Sequence, residues 1–127
     1  PVVREHWIRS GTTKKTISMQ TFSRNDVVLI RYPFSDLSQF KVRPAVIVGP
    51  DRESPDLFIV PLTSRLSPCL PGEFPLSDWR TAGLHIPSAV KRGIYTVDGG
   101  LVIKRVGRLS RDDEGKLKDA LRFWLAL

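Results

Sequence analysis

Short apolar runs rich in β-branched residues, separated by polar or proline- and glycine-rich stretches, dominate the chain after residue 25. Runs of this kind predict strands, and three of them are Val27–Tyr32, Pro44–Val48 and Leu57–Leu62. Pro44 is expected at the first position of its strand, where its missing N–H removes no ladder hydrogen bond. The polar stretch Ser35–Val42, between the first two strands, predicts a loop.

The second half of the chain carries weaker strand patterns. Ser67–Gly72 lies in a proline-rich region and predicts an exposed irregular segment, and Phe74–Leu76 predicts a short strand. Two further apolar runs, Ile94–Val97 and Leu101–Val106, flank the sequence Asp98-Gly99-Gly100. An Asp-Gly pair between two apolar runs predicts a β-hairpin.

The last segment has the periodicity of a helix. Its apolar residues recur at intervals of three and four: Leu117, Ala120, Leu121, Trp124 and Leu125. Ser110 is the predicted N-cap, and Asp113 stands at the spacing of a variant capping box. Short strands followed by one packing helix predict a mainly β fold with a C-terminal helix. Its small antiparallel sheet is expected to be strongly curved or to form a barrel.

Residues 1–22 differ from the remainder. Four Lys and Arg side chains accompany Glu5 alone, and the apolar residues show no clear period. We interpret this segment as a basic N-terminal arm without a fold of its own. Met19 is a candidate natural start, which would make the preceding residues an upstream extension. Residues 23–127 are then the folded domain.

The charge of the protein narrows the class of partner. The 127 residues carry a net charge of +7, with a pI of about 10.1. Such a balance favours a polyanion, either nucleic acid or an acidic protein, although solubility alone also explains it. One cysteine and two separated histidines argue against a zinc site. The absence of a long apolar run and of a signal-peptide pattern predicts a cytoplasmic protein without a membrane segment.

The candidate chemistry lies at the ends of the predicted strands. Arg43 precedes Pro44, which restricts its backbone to extended geometry, and its guanidinium can hold two phosphate oxygens. Thr63 and Ser64 end the third strand, where hydroxyls bind phosphate or simply bond nearby backbone. Arg65 adds a second cation. Each residue alone is ordinary for a protein surface, but together on a basic domain they indicate a phosphate-binding site.

Several blocks of the sequence resemble the MazF/PemK family of toxins. They are Asp26–Ile30, Tyr32–Ser38, Arg43–Val48, Pro61–Ser64, Gly83-Leu84, Pro87-Ser88 and Lys104–Ser110, in that order along the chain. The Arg-Pro strand is the most recognisable of them. Asn25 departs from the family pattern, since Gly is usual there. The resemblance covers about 100 residues, from roughly Phe22 to Leu125.

The resemblance implies an SH3-like barrel with a C-terminal helix, which forms a homodimer and is blocked by a cognate antitoxin. It also implies a metal-independent, cofactor-free and sequence-selective endoribonuclease that cuts single-stranded RNA at short preferred sequences. The family's catalytic arginine and threonine fall on Arg43 and Thr63, with Ser64 beside them. In this mechanism the RNA 2′-OH attacks the adjacent phosphorus, and these side chains stabilise the developing charge. The general base stays open between water and a histidine.

Other side chains are candidates for holding RNA on either side of the cut. Ser35–Val42 is expected to be a mobile loop over the site, and Phe34 either stacks on a base or packs on the core. Lys41 and Arg65 are expected to bind flanking phosphates, with Ser88 and Lys91 as weaker candidates from another loop.

Two other function classes stay open. A gyrase poison like CcdB shares this fold and acts through a protein target, and its C-terminal tryptophan invites comparison with Trp124. Because Trp124 lies on the helical stripe, packing is its better interpretation. A non-catalytic module that binds nucleic acid or protein would shift RNA on a gel and leave it whole.

Overall fold

The computed structural model describes residues 22–33, 40–50 and 54–127. The predicted N-terminal arm lies outside this part of the chain, except for Phe22, which packs against a buried core. Most of the predicted loop before the Arg-Pro strand, including Phe34, also lies outside it.

Seven strands and one α-helix make up the described chain. They are β1 (Asp26–Pro33), β2 (Phe40–Gly49), β3 (Asp56–Thr63), β4 (Phe74–Pro75), β5 (Ala89–Val90), β6 (Tyr95–Asp98), β7 (Val102–Arg108) and α1 (Arg111–Leu125). The three long strands, the short fourth strand and the helix were all predicted. The prediction of a mainly β fold with a C-terminal helix is confirmed.

Strand β2 is longer than the sequence predicted. It begins at Phe40, so Pro44 lies inside the strand and the predicted position at its start is wrong. Pro44 is opposite Leu29 of β1, and the ladder to β3 begins one residue later, at Ala45. Pro44 is therefore tolerated because it lies outside the described β2–β3 ladder.

The predicted hairpin around Asp98 is also wrong. Strand β6 pairs with β3 and β7 pairs with β1, so the two strands have different partners. Between them, Gly99–Leu101 forms a 3₁₀ turn, and the Asp98 carboxylate accepts the N–H of Gly100 at 2.8 Å. The Asp-Gly pair thus begins a helical turn and does not close a hairpin.

This connection requires a strongly curved sheet. The antiparallel order β7-β1-β2-β3-β6 places four strand spacings between β6 and β7, which in a flat sheet is about 19 Å. The 3₁₀ link of three residues, Gly99–Leu101, spans four residue steps from Asp98 to Val102 and advances only about 8 Å. The sheet must curl to bring its edges together, yet no pairing joins β6 to β7 in the described chain, so the barrel is open.

The two faces of the curled sheet bury different cores. The helix-side core contains Val27, Val46, Val60, Leu62 and Val90 of the strands, together with Leu117 and Leu121 of α1. The inner core contains Val28, Ile30, Ala45, Ile47, Leu57 and Ile59, with Val97 and Val102 from the edge strands packed against it. Neighbouring residues of β1, β2 and β3 alternate between the two cores, as the period of two in a strand requires.

Helix α1 begins as predicted, at the N-cap Ser110, whose hydroxyl accepts the N–H of Asp113 at 3.2 Å. The predicted capping-box spacing is therefore half used, because the Asp113 carboxylate does not return to the Ser110 N–H. It accepts the N–H groups of Ser77 and Asp78 at 2.8 and 3.1 Å, along with the Ser110 hydroxyl at 3.2 Å. This carboxylate is fully buried, so it joins the helix start to the segment after β4.

The C-terminal end of the helix is fixed by Trp124. Its ring packs against the helix-side core, and its indole N–H donates to the carbonyl of Pro71 at 2.9 Å. A Cβ on Gly72 would lie 2.2 Å from the indole nitrogen, so only glycine allows this approach. The predicted packing role of Trp124 is confirmed, whereas Leu125, the last residue of the predicted stripe, is 52% exposed.

Candidate active site

Four chemically useful side chains share one end of the sheet. In an antiparallel sheet the C-terminal ends of β1 and β3 lie at the same end as the N-terminal part of β2. By alternation with the buried residues of the two cores, the side chains on the inner face at this end are Tyr32, Lys41, Arg43 and Thr63. Tyr95 of β6 belongs to the same face but pairs with Ile59, further along β3. Packing fills the middle of the face, so the four groups occupy its open end.

Arg43 and Thr63 are brought to neighbouring strands. The β2–β3 ladder pairs Ala45 with Pro61 as its last described step. Arg43 and Thr63 each stand two residues beyond this step, so alternation assigns both side chains to the same face. Sequence reasoning identified both residues, but only strand pairing relates one to the other.

The Arg43 guanidinium is available for an anion. Arg43 is exposed, and its guanidinium donates a long hydrogen bond of 3.4 Å to the neighbouring carbonyl of Val42. Among the described residues, no carboxylate pairs with it. A fixed arginine without a carboxylate partner can hold two phosphate oxygens through its planar N–H groups.

The hydroxyl of Thr63 is oriented by the turn that follows it. Its Oγ1 accepts the backbone N–H of Arg65 at 3.0 Å, which restrains the side chain and leaves the hydroxyl proton free to donate. Donation is what a negatively charged phosphate oxygen requires. Ser64 and Arg65 are both exposed immediately beyond the strand.

Tyr32 lies at the candidate site, although the sequence placed it only at the end of a strand and in one block of the family resemblance. Burial and the nearby Tyr95 raise its pKa above the ordinary value, while the charge of Arg43 acts in the opposite direction. Tyr32 therefore keeps its proton at neutral pH and is a hydrogen-bond donor rather than a base. The signal in the sequence was its period-two spacing from Val28 and Ile30, both of which belong to the inner core.

The predicted RNA-binding residues have different placements. Lys91 is exposed beside β3. Its backbone N–H donates to the carbonyl of Pro61 at 2.9 Å, and Pro61 lies two residues before Thr63. Lys41 is exposed on β2. Ser88 is only 4% exposed, and its hydroxyl donates to the carbonyl of Ile86 at 3.1 Å. Because that hydroxyl is buried and already bonded, the geometry does not support Ser88 as a contact for RNA.

Metal ligands, the histidine and cysteine side chains and membrane-spanning helices were also considered in the described part of the chain. It contains no cluster of three or more His, Cys, Asp or Glu side chains able to hold a metal ion. His85 and Cys69 are both exposed in irregular segments. Within the same residues, no helix combines the length and apolar character that a membrane crossing needs.

A basic groove lies on the other face of the sheet. Arg24, Arg111 and Lys118 line it beside the apolar side chains of Leu117 and Leu121. Both leucines belong to the helix-side core, so the groove is separated from Arg43 by the sheet itself.

Comparison with known proteins places the chain among toxins. A sequence profile of PemK-like, MazF-like toxins of type II toxin–antitoxin systems matches residues 23–125. No curated protein sequence gives a significant match.

Solved structures share the fold at low sequence identity. One is an endoribonuclease in complex with its cognate antitoxin from a mycobacterial species, with a TM-score of 0.67, 21% identity, and coverage of 86% of this chain and 97% of that one. A second is the Mycobacterium tuberculosis toxin MazF-mt6, with a TM-score of 0.64, 22% identity, and coverage of 80% of this chain and 97% of that one. A third, another mycobacterial endoribonuclease, has a TM-score of 0.66 and 23% identity, covering 86% and 95%.

Proposed function

This chain belongs to the PemK-like, MazF-like toxins of type II toxin–antitoxin systems, and we propose that it is a metal-independent endoribonuclease acting on single-stranded RNA. The observation that carries this proposal is the pair formed by Arg43 and Thr63. The arginine has no carboxylate partner among the described residues, the hydroxyl has a proton free to donate, and both lie on one face at one end of the sheet. The solved endoribonucleases of the same fold support it.

RNA supplies its own nucleophile for this reaction. The 2′-oxygen attacks the adjacent phosphorus, a 2′,3′-cyclic phosphate forms, and the bond from phosphorus to the 5′-oxygen breaks. Arg43 and Thr63 bind the phosphate oxygens on which charge develops, and fixed donors of this kind lower the barrier most when they are already in place. Ser64 lies beside Thr63 as a further donor.

Two protons must move during the reaction. The proton of the 2′-OH goes to water or to a base that is not assigned, since arginine stays protonated and the raised pKa of Tyr32 makes it a poor acceptor. The leaving 5′-oxygen takes up a proton. Arg43 and Tyr32 are the candidate donors of this proton, and the raised pKa of Tyr32 keeps its hydroxyl protonated at neutral pH.

The proposal includes partners as well as a substrate. We expect a homodimer that acts in the cytoplasm and is held inactive by a cognate antitoxin, as one solved relative of this fold is found in complex with its antitoxin. The antitoxin is expected to be acidic in its contact region, because the toxin carries a net charge of +7.

A direct test is incubation of the purified protein with a long single-stranded RNA in excess EDTA. Discrete fragments with 2′,3′-cyclic phosphate and 5′-hydroxyl ends are expected, because neither nucleophile nor catalyst is a metal-bound group. Intact RNA would reject the proposal, and inhibition of gyrase supercoiling would then favour the CcdB-like alternative. A gel shift without cleavage would favour a binding module.

Two substitutions of Thr63 distinguish the contribution of its hydroxyl from that of its side-chain shape. Thr63→Val keeps the branched side chain and removes the donor, so we expect cleavage to fall about 10- to 100-fold. Thr63→Ser keeps the hydroxyl and is expected to stay within a few-fold of the parent. Single-turnover rates at saturating RNA measure the chemical step. Equal rates for the Val and Ser variants would remove the hydroxyl from the mechanism.

Replacing Lys41 tests its contact with a flanking phosphate. For Lys41→Gln we expect weaker binding and a salt slope, log Kobs against log[salt], that is shallower by about 0.7. The ligand is a 2′-O-methyl RNA, which lacks the nucleophile and stays intact. Lys118→Gln, on the helix side of the sheet, is the matched control and should leave the slope unchanged. An unchanged slope for Lys41→Gln would place this side chain outside the RNA path.

A further inference from the structure

Strands β5 and β6 follow the same edge of β3 but are interrupted by a bulge. Ala89 pairs with Thr63, and the N–H of Lys91 bonds to Pro61. Pairing resumes when Tyr95 meets Ile59. Three residues, 92–94, thus stand opposite Val60 alone. Bulges of this kind change the direction of the side chains that follow them, and they are frequent next to active sites.

The bulge brings the Tyr95 ring against a glycine. Gly93 has φ +141°, a conformation that L side chains rarely adopt. A Cβ on Gly93 would lie 2.8 to 3.0 Å from the outer edge of the Tyr95 ring, including its hydroxyl. Bare backbone at this position therefore lets the ring lie close to the chain and restrains where it can move.

The restrained ring is open to solvent on the candidate site. Tyr95 is 50% exposed, although its neighbour two residues on, Val97, packs against the inner core. Tyr95 also lies near enough to Tyr32 to raise the pKa of that phenol, and Arg43 acts on the same group. An exposed aromatic ring thus lies on the same face of the sheet as the arginine proposed to hold the scissile phosphate, and both act on Tyr32.

We propose that Tyr95, positioned by Gly93, is a stacking platform for a nucleobase next to the scissile phosphate. This inference rests on the proposed ribonuclease function and adds the residue that holds the substrate base. Every base has a π-face, so stacking tolerates many sequences while fixing the sugar–phosphate chain beside Arg43. The surrounding charges favour nucleic acid, because the exposed side chains Lys41, Arg65, Lys91 and Arg92 lie at or beside this end of the sheet.

The test measures stacking with the nucleophile removed. Cut sites are first mapped on a long RNA. A short RNA containing one cut site is then made with 2-aminopurine as the base on either side of the cut. The nucleotide on the 5′ side carries 2′-deoxyribose, so it lacks the nucleophile and the strand stays intact. We expect the parent and Tyr95→Phe to quench the fluorescence and bind alike. Tyr95→Leu is expected to lose the quench and bind about tenfold or more weakly. Phe123→Leu, an exposed aromatic on α1, is the control and should change neither reading.

A second variant moves the ring without deleting it. Gly93→Ala is expected to reduce the quench while Tyr95 is still present, because the new Cβ displaces the ring. The result is interpreted for a Gly93→Ala variant whose melting temperature is within a few degrees of that of the parent. Equal quenching and affinity in the parent, Tyr95→Leu and Gly93→Ala would overturn the proposal, as would loss of antitoxin binding with unchanged RNA binding.

Failure of the proposed function gives a different pattern. If the parent leaves RNA intact, the same variants are compared on a mixed-sequence single strand that carries 2-aminopurine. Quenching that disappears only in Tyr95→Leu would support Tyr95 as a stacking platform and reject the proposed ribonuclease activity. Absence of binding by the parent would reject both.

Discussion

Arg43→Ala is expected to lower the rate of RNA cleavage by about 10²- to 10³-fold at saturating RNA, the largest loss we expect from any single side chain of the site. The guanidinium is exposed and lacks a carboxylate partner within the described chain. Its removal therefore breaks no structural ion pair there, and the melting temperature should stay within a few degrees of the parent. Single-turnover rates in EDTA, measured beside a thermal melt, check both expectations.

Arg43→Lys is the matched variant. It keeps one positive charge but lacks the planar fork that holds two oxygens, so we expect a rate between those of the parent and the alanine variant. If the lysine variant equals the parent, charge alone suffices and bidentate binding is not required. An alanine variant that is folded and cuts RNA at the parent rate would remove Arg43 from the mechanism.

The proposed catalytic pair was predicted from the sequence, whereas Tyr95 was not. Arg43 and Thr63 stand beside strong strand signals, and their residue types suggest phosphate chemistry without knowledge of the fold. Tyr95 has no comparable local signal. Its placement depends on the pairing of β6 with β3 and on a bulge, and the predicted hairpin gave β6 the wrong partner. Long-range pairing is what a local pattern cannot provide.

The two-sided burial of the sheet explains why the site lies at a strand end. The helix-side core occupies one face, and the inner core fills the middle of the other. Polar side chains can reach solvent on the inner face only where the sheet stops, at Tyr32, Arg43 and Thr63. Rigid strands then hold these groups at fixed separations, which suits a reaction that depends on donors already in place.

The second large effect is expected on stability rather than on chemistry. Asp113→Ala removes a fully buried carboxylate that accepts the N–H groups of Ser77 and Asp78 and the hydroxyl of Ser110. Two backbone donors lose their partner, and each such loss costs about 1–3 kcal/mol. We expect the free energy of unfolding to fall by about 3–5 kcal/mol, with a melting temperature more than 10 °C below the parent.

The neighbouring carboxylate provides the control for this prediction. Asp112 is 67% exposed at its side chain, where it bonds the Ser77 hydroxyl at 2.7 Å and Lys116 at 3.3 Å. Asp112→Ala should therefore leave the melting temperature within a few degrees of the parent, because water replaces both partners. Asp113→Asn, which keeps one acceptor oxygen, should fall between the two. Since Asp113 lies on the helix side of the sheet, its alanine variant should retain RNA cleavage wherever it is folded. Equal stability of the Asp112 and Asp113 alanine variants would show that burial of this carboxylate does not stabilise the fold.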